Sequence, residues 1–397
     1  MPLNRRSFLR ATAVAGGTTA FSGALWGRAF ASGPAQPGPS PYGPLRAADG
    51  NGLQLPDGFT SRIVARSLQR VEGTRHTWHP APDGGACFPA GDGWIYVSNS
   101  EVPIVGGVSA VRFDASGKVT SAYRILNGTS LNCAGGATPW NTWLSCEEHD
   151  IGLVHETDPT GQKGATARPA MGRFKHEAAA SDPDRKVIYL TEDQSDGCFY
   201  RFRPNTWGDL SSGTLEVLVG SGTGPVQWAK VPNPEFWLTP TREQVDGAMH
   251  FDGGEGCYYT HGVCYFTTKG DNRVWAYDAA AQRLDIAYDD DLVTTGEAPL
   301  HGVDNLTATA SGDLYVAEDG DNMEINVVTT DGVVAPVLRI IGHDESEITG
   351  RRSARTDRAS TSRPSAARAG SSAGRTATPS RSPARSAAEP RPGPFRR

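Results

Sequence analysis

The chain has 397 residues and a formal net charge of −6, but its charge is unevenly distributed. Residues 1–31 carry four Arg and no acid, and residues 351–397 carry twelve Arg and two acids. The part between them, 32–350, carries 22 basic and 42 acidic residues, which gives a net charge of −20. A body this acidic argues against nucleic-acid binding and is compatible with a protein that binds several cations.

The N-terminus has the features of a twin-arginine export signal. Arg5 and Arg6 precede an apolar, Gly- and Ala-rich stretch that reaches about Trp26, and Ala29-Phe30-Ala31 supplies a small-x-small cleavage site. The apolar stretch is short and interrupted by Gly and Thr, which argues against a stable membrane anchor. We therefore expect residues 1–31 to be a signal peptide for the twin-arginine export machinery, and the mature protein to be periplasmic or extracellular.

A repeated β-like pattern occupies the body of the chain. Residues 32–52, rich in Pro and Gly, indicate a linker, and residues 53–350 alternate short β-rich runs with turn residues. Five runs end in a small polar cluster: WIYVSNSE (Trp94–Glu101), TWLSCEE (Thr142–Glu148), VIYLTEDQ (Val187–Gln194), VCYFTTKGD (Val263–Asp271) and DLYVAEDGD (Asp313–Asp321). Such repetition is typical of an all-β propeller, in which equivalent strands of every blade end around one central channel.

The polar ends of these runs predict a metal site. In a propeller they would converge on the axis although they lie far apart in the sequence. A convergent ring of carboxylates needs cations to balance it. We therefore predict a site for several metal ions on the propeller axis.

The composition changes abruptly after Gly350. Residues 351–397 contain no Leu, Ile, Val, Tyr or Trp and are rich in Arg, Ser, Ala and Pro, which is typical of a basic disordered tail. Degenerate codons offer another interpretation, because a shifted frame permits two β-like segments, AFSPDGPRLYFSSQRG and YTFEVTGPF. We hypothesise that a frameshift near codon 351 replaced the last blade of the propeller with this tail.

The six cysteines leave disulfide pairing open. Export to an oxidising compartment permits disulfides. Cys257 and Cys264 flank Thr260-His261-Gly262 as if opposite each other on a hairpin, so that a cross-strand disulfide and two free thiols are both compatible with the sequence.

One segment resembles a known family. Residues Asn132–Glu148, NCAGGATPWNTWLSCEE, resemble the NCAGG-TPW-TWL-CEE signature of the PhoX-type alkaline phosphatases, exported metal-dependent phosphomonoesterases. The resemblance covers about residues 55–350 and continues through Ser98–Glu101, Lys175–Glu177, Thr191–Asp193, Gly254–Gly256, Val303–Leu306 and Ala317–Gly320. It implies a six-bladed β-propeller that uses Fe³⁺ and Ca²⁺, with a cysteine thiolate among the iron ligands.

The resemblance implies a set of metal ligands. Cys133 is the iron ligand that it implies, since a single thiolate among oxygen ligands suits iron rather than calcium. The oxygen ligands that it implies are Glu147, Glu177, Glu192, Glu255 and Glu318, together with Glu101, Glu148, Asp193, Asp304 and Asn305. For Asp304 and Asn305, ordinary turn chemistry is an alternative explanation.

Phosphate also requires cationic donors. Lys269 ends a β-like run where the other runs carry acids, which would place it at the mouth of the channel. Arg273 and His176 are further candidates. For Lys269 the alternative is an ordinary surface lysine.

We therefore expect a monomeric exported phosphatase that hydrolyses small phosphomonoesters at an iron and calcium cluster on the axis. Two alternatives stay open. A calcium-dependent lactonase on a similar propeller would need one or two Ca²⁺ and no thiolate-bound iron, and a non-catalytic propeller binding module would need no convergent carboxylates. Without a sixth blade the sheet edges would stay unpaired, and the chain could be inactive.

The export signal can be tested directly. Replacing Arg5 and Arg6 together with Lys should trap the precursor in the cytoplasm, because the twin-arginine machinery reads the Arg pair. Cell fractionation measures the outcome, and the wild-type mature protein should begin near Ser32. Unchanged export of the double variant would contradict the assignment.

Overall fold

The structure is a computed structural model that describes residues 33–236, 238–320, 322–343 and 348–349. These residues form five sheets of four to six strands and no α-helix. Three short 3₁₀ turns connect strands: Pro169–Met171, Thr241–Glu243 and Asp290–Leu292. No helix in the described ranges is long and apolar enough to span a membrane.

The strands follow one another in a regular order. Two short strands come first: β1 (Gln36–Pro37) and β2 (Leu53–Gln54). Blade 1 contains β3 (Pro82–Ala90), β4 (Gly93–Ser100), β5 (Gly106–Phe113) and β6 (Val119–Thr129). Blade 2 contains β7 (Asn132–Ala137), β8 (Trp143–Glu147), β9 (Val154–Thr157) and β10 (Thr166–Ala167).

The remaining three blades repeat this plan with additions. Blade 3 is built on β11 (His176–Asp182), β12 (Val187–Glu192), β13 (Gly197–Thr206) and β14 (Asp209–Val219). Three short strands follow: β15 (Gly224–Pro225), which joins blade 4, and β16 (Gln227–Lys230) and β17 (His250–Phe251), which pair within blade 3. Blade 4 contains β18 (Gly254–Thr260), β19 (Val263–Thr268), β20 (Arg273–Asp278) and β21 (Arg283–Asp289). Blade 5 contains β22 (Val303–Ala308), β23 (Leu314–Glu318), β24 (Glu324–Val328) and β25 (Val333–Ile340).

The blades are arranged around an axis. The first strand of each blade lies innermost, and β3, β7, β11, β18 and β22 pack against one another in this order. This is the radial repetition of a β-propeller, which confirms the predicted fold class. The second strands, β4, β8, β12, β19 and β23, coincide with the five β-like runs that the sequence singled out, to within one residue at the start of β4. They are almost wholly buried, because both faces of each sheet pack against neighbours.

Glycines let the innermost strands approach one another closely. A Cβ on Gly84 would lie 2.7 Å from the Cα of Ala134 in the next blade. A Cβ on Gly256 would lie 2.5 Å from the backbone nitrogen of Leu306, and one on Gly136 would overlap the carbonyl of Ala179. No real Cβ tolerates such contacts, so the narrow axis depends on residues without a side chain at these positions.

The ring of described blades is open between blade 5 and blade 1. Their innermost strands, β22 and β3, do not form a packed pair comparable to the other four within the described residues. The face of blade 1 that points away from blade 2 is covered by Val71 and Trp78. The corresponding face of blade 5 is covered by Leu53 and Ile348. The described part thus shows five of the six predicted blades, with the opening at the position of the sixth.

The segment before blade 1 differs from the prediction. Residues 36–37, assigned to a linker, pair in parallel with β25, and β2 pairs with the same strand in antiparallel orientation. The reason is that β25 ends its sheet, and its unpaired backbone groups accept any extended segment that reaches them. The signal peptide, 1–31, and the tail, 351–397, lie outside the described residues.

The two hairpin cysteines are diagonal neighbours. Cys257 pairs with Phe266 and Cys264 pairs with Tyr259, so the two cysteines are offset by two residues and are not directly opposite. Their Sγ atoms lie 3.3 Å apart as free thiols.

The open ring makes the frameshift hypothesis testable. Restoring the alternative frame near codon 351, by adding one base or removing two, should add β structure and raise thermal stability, because a sixth blade would pack between blades 5 and 1 and close the ring. Circular dichroism and thermal unfolding measure both effects, with truncation after residue 350 as the control. If resequencing confirms the Arg-rich frame and the truncation changes nothing, the hypothesis is wrong.

Candidate metal centre

A β-bulge recurs at the same place in all five innermost strands. In each strand two residues face a single residue of the second strand, so that the pairing register shifts. The first residue of each bulge carries a group that can bind a metal: Asp83, Cys133, Glu177, Glu255 and Asp304. A bulge takes a residue out of the ladder and re-aims its side chain, so the repeat directs five such groups toward the axis.

Hydrogen bonds from polar side chains of neighbouring blades hold three of the bulges in place. In each blade, one residue of the second strand lies opposite the bulge. In three of the five blades, the side chain of this residue donates a hydrogen bond to a backbone carbonyl in the bulge of the next blade. Asn99 Nδ2 donates to the carbonyl of Cys133 at 2.9 Å. The hydroxyls of Thr191 and Thr267 each donate over 2.5 Å, to the carbonyls of Glu255 and Asp304 respectively. All three donors are buried, so the bulge positions are fixed by neighbouring blades.

The five bulge residues and two acids from adjacent loops form one continuous group, here called the axial cluster. It consists of three overlapping sets, within each of which the ligand atoms lie within 4.8 Å of one another: Asp83, Glu101 and Cys133; Cys133, Glu148 and Glu177; and Glu177, Glu255 and Asp304. Because Cys133 and Glu177 are shared, the sets run without a break through all five blades.

The axial cluster is electrostatically unfavourable without cations. Burial raises the pKa of Glu177 and Glu255 well above the ordinary range, and neighbouring carboxylates raise it further. Burial and the adjacent Asp83 likewise raise the pKa of the Cys133 thiol. The pKa of Glu148 rises to about 8, through burial and then through Asp193 and Glu101. Desolvation and like-charge repulsion both act against ionisation here.

The environment of Glu177 indicates that the axial cluster is suited to bind a cation. Its side chain is fully buried, and neither carboxylate oxygen makes a hydrogen bond with any described residue. A buried carboxylate in this state is strongly destabilising unless it binds a proton or a metal ion. Carboxylate oxygens suit hard cations such as Ca²⁺ and Fe³⁺, and the one thiol, Cys133, suits iron.

The structure brings six of the eleven predicted metal ligands into the axial cluster: Glu101, Cys133, Glu148, Glu177, Glu255 and Asp304. Two more lie beside it. Asp193 is close enough to Glu148 to raise its pKa, and Asn305 donates a hydrogen bond of 3.1 Å to the carboxylate of Asp304.

The other three predicted ligands, Glu147, Glu192 and Glu318, lie outside these sets. Each ends the second strand of a blade and accepts hydrogen bonds from backbone N–H groups of neighbouring loops and strands. These donors are Ser130 and Leu153 for Glu147, Cys198 for Glu192, and His301 and Glu324 for Glu318. In the pairs Glu147-Glu148 and Glu192-Asp193, the first acid therefore binds neighbouring backbone. The second lies in the axial cluster in the case of Glu148, and beside it in the case of Asp193.

Lys269 borders the axial cluster. Its ammonium group forms an ion pair with Asp319. Burial would lower the pKa of Lys269, but Glu255, Asp319 and Asp304 raise it overall. Lys269 is therefore a cation at the edge of an anionic cluster.

Arg273 and His176 occupy different environments. Arg273 forms ion pairs with Asp271 at 2.8 Å and Asp289 at 2.7 Å, and it lies outside the axial cluster. The prediction of His176 as a cationic donor is wrong. The ring is fully buried, and burial lowers its pKa to about 3, so it is neutral.

Asp83 was missed by the sequence analysis. A signal was present, because Asp83-Gly84-Gly85 follows the same plan as Cys133-Ala134-Gly135, with a ligand group followed by two small residues. The plan recurs as Glu177-Ala178-Ala179. Comparing innermost strands, rather than second strands, would have identified Asp83.

Comparisons with known proteins give a family and a fold. The family model described as alkaline phosphatase PhoX matches residues 97–382. A solved structure of Pseudomonas fluorescens PhoX in complex with vanadate, a transition state analogue, is similar with a TM-score of 0.64 and 16% identity, over 80% of this chain and 91% of that chain. Regucalcin, a calcium-binding protein from Agrobacterium tumefaciens, is similar with a TM-score of 0.39 and 13% identity, over 72% and 80%. A comparison with curated protein sequences finds no match.

The axial cluster predicts how stability depends on pH. With metals removed by a chelator, the folded protein should lose stability between about pH 5 and 9. The reason is that the pKa of Glu148 is about 8 in the folded state and near 4.5 when unfolded, so that folding opposes its ionisation. Glu148→Gln should make this loss shallower, as measured by thermal unfolding.

The matched control is Glu235→Gln, which changes an exposed glutamate and should leave the pH profile as in the wild type. Identical profiles for the wild type and Glu148→Gln would contradict the electrostatic account of the cluster.

Proposed function

This chain belongs to the PhoX family of alkaline phosphatases and is a phosphoric monoester hydrolase, and we propose that iron and calcium ions bound by its axial cluster support this activity. The family match covers most of the chain. The similar propeller from Pseudomonas fluorescens binds vanadate, a transition state analogue. A centre that binds phosphoryl oxygens on the propeller axis is consistent with both findings.

The observation that carries this proposal is the convergence of one thiol and six carboxylates from five blades at a point where Glu177 has no other described partner. Cys133 would hold iron, and the carboxylates would hold iron and calcium. When bound, such cations supply positive charge that stabilises negative charge developing on phosphoryl oxygens. The protein's part is to fix the ligands, which the bulges and the bonds between blades do.

Of the three predicted cationic donors, Lys269 is the one placed to bind the phosphate itself. Its ion pair with Asp319 holds the ammonium group at the edge of the axial cluster. Its raised pKa keeps it protonated at the alkaline pH values where the cluster carboxylates ionise. A fixed cation of this kind would orient a substrate phosphate and neutralise part of its charge.

The alternatives explain fewer of these features. A calcium-dependent lactonase would have no use for a thiol among the ligands, and Cys133 lies at the junction of two sets. A binding module would have no need to bury so many acids together. We further propose that the enzyme is a monomer exported by the twin-arginine route, that its substrates are small phosphoesters, and that nucleic acid is not a partner.

Lys269→Ala tests the proposed substrate role. The variant should raise KM for a chromogenic phosphomonoester about tenfold or more, because a charged hydrogen bond contributes roughly 1.5–3 kcal/mol. Its iron and calcium content should equal that of the wild type. Lys163→Ala, at an exposed lysine, is the control and should change neither value.

An unchanged KM in Lys269→Ala would contradict the role of this lysine alone. Lactone hydrolysis by the wild type without phosphatase activity would contradict the proposed function and favour the lactonase.

A further inference from the structure

The loops that join the second strand of a blade to the third begin in the axial cluster or beside it, and they differ in polarity. In blades 3 and 4 these loops are polar, with the sequences DQSD (193–196) and KGDN (269–272). In blades 1 and 2 they are EVPIV (101–105) and EHDIGL (148–153), which contain several apolar residues. The mouth of the axial cluster therefore has a polar side in blades 3 and 4 and a partly apolar side in blades 1 and 2.

Three large apolar side chains on this second side are exposed to solvent: Ile104 to 80%, Val105 to 65% and Ile151 to 47%. Ile104 follows Glu101 by three residues, and Ile151 follows Glu148 by three residues. Three residues of chain span at most about 11 Å, so both isoleucines lie near the acids that their loops contribute to the axial cluster. The three exposed side chains are here called the apolar rim.

Hydrogen bonds join the two loops into one surface. The backbone N–H of Ile104 donates to Oγ of Ser130 at 3.1 Å. The backbone N–H of Leu131 donates to the carbonyl of Val102 at 3.1 Å, and that of Glu148 donates to the carbonyl of Leu131 at 2.8 Å. The short segment before β7 thus links the loop of blade 1 to the loop of blade 2. The apolar rim is therefore continuous across the two blades.

The backbone of Ile104 is strained. The N–H of Val105 donates to the carbonyl of Pro103 at 2.7 Å, and Ile104 between them has a φ of 67°. A three-residue turn with a positive φ at its centre is rare and strained, and a β-branched residue seldom adopts it. Because the side chain of Ile104 is mostly exposed, packing within the described chain does not offset this strain. A strained backbone that displays an apolar side chain beside a functional site indicates a role in binding.

Lys269 lies on the other side of the mouth. It begins the loop of blade 4, which is three positions away from blade 1 in a ring with six positions. A phosphate directs its charged oxygens toward cations, so its ester oxygen and organic group would face away from Lys269, toward blades 1 and 2. The organic group of a phosphomonoester would therefore meet the apolar rim.

We propose, on the basis of the proposed phosphatase function, that the apolar rim binds the organic group of the substrate and makes the enzyme selective for phosphomonoesters of apolar alcohols, such as alkyl phosphates. Burial of an alkyl chain against Ile104, Val105 and Ile151 would lower KM as the chain lengthens. Polar organic groups of the same size would gain no such contact. A membrane surface suits the rim less well, because the acidic body of the chain would be repelled by anionic lipids.

Ethyl, butyl and hexyl phosphate test the rim, because their leaving alcohols have similar basicity and differ in apolar surface. We expect kcat/KM to rise roughly two- to fourfold for each added methylene, mainly through KM. Glycerol phosphate, which is close to butyl phosphate in size but polar, should have a clearly lower kcat/KM. Calorimetric binding of the matching alkylphosphonates, in which a P–C bond replaces the ester bond, provides a second measurement that needs no turnover.

A double variant and a matched control complete the test. Ile104→Asn combined with Ile151→Asn should flatten the dependence on chain length, so that the loss of kcat/KM is largest for hexyl phosphate. Asparagine tolerates the positive φ at position 104, so the turn should be retained. Ile63→Asn is the control, since Ile63 is also exposed but its neighbour Arg62 contacts Gly117 in the β5–β6 turn on the opposite face. The control should keep the wild-type dependence on chain length.

Equal kcat/KM for ethyl and hexyl phosphate in the wild type, or an unchanged dependence in the double variant, would overturn the role of the rim. A double variant that alters only the oligomeric state, or only sedimentation with phosphatidylethanolamine–phosphatidylglycerol vesicles, would also overturn it and assign the rim to a second copy or to a membrane. Absence of hydrolysis with every ester would contradict the proposed function. In that case, alkylphosphonate binding that strengthens with chain length in the wild type but not in the double variant would still support the rim, and binding independent of chain length would overturn it.

Discussion

Mutual repulsion among buried acids at the propeller axis is the constraint on which the rest of this structure depends. Five innermost strands each interrupt their ladder at the same step and turn one ligand group inward. In the absence of cations the cluster resists ionisation, as the raised pKa values of Glu177 and Glu255 show. Bound cations would remove this repulsion, and because the ligands come from different blades, they would link the blades and stabilise the fold.

The fold tolerates this repulsion because the bulges are held by neutral interactions. Asn99, Thr191 and Thr267 each donate a hydrogen bond to a bulge carbonyl in the next blade. Small residues such as Gly84 and Gly256 let the strands approach closely enough for these bonds to form. Positioning of the ligands therefore does not depend on the ions alone, and such preorganisation favours both affinity and catalysis.

The sequence predicted the fold and part of the site, for identifiable reasons. Second strands such as β12 are recognisable because burial on both faces makes them continuous apolar runs with polar ends. The sequence did not predict which acid of the pair Glu147-Glu148 belongs to the axial cluster. The strand register decides this: Glu147 accepts hydrogen bonds from loop backbone, whereas Glu148 reaches the axial cluster. Asp83 was missed because it lies in an innermost strand, outside the five β-like runs that the sequence analysis compared. The pairing of β1 with β25 was missed because a Pro- and Gly-rich segment carries no strand signal of its own.

Elemental analysis of purified, active protein tests the central claim most directly. The account predicts that iron and calcium are retained in fixed ratio to the protein. It also predicts a visible charge-transfer band, because a thiolate from Cys133 would bind ferric iron. A colourless, iron-free protein with full phosphatase activity would contradict the account.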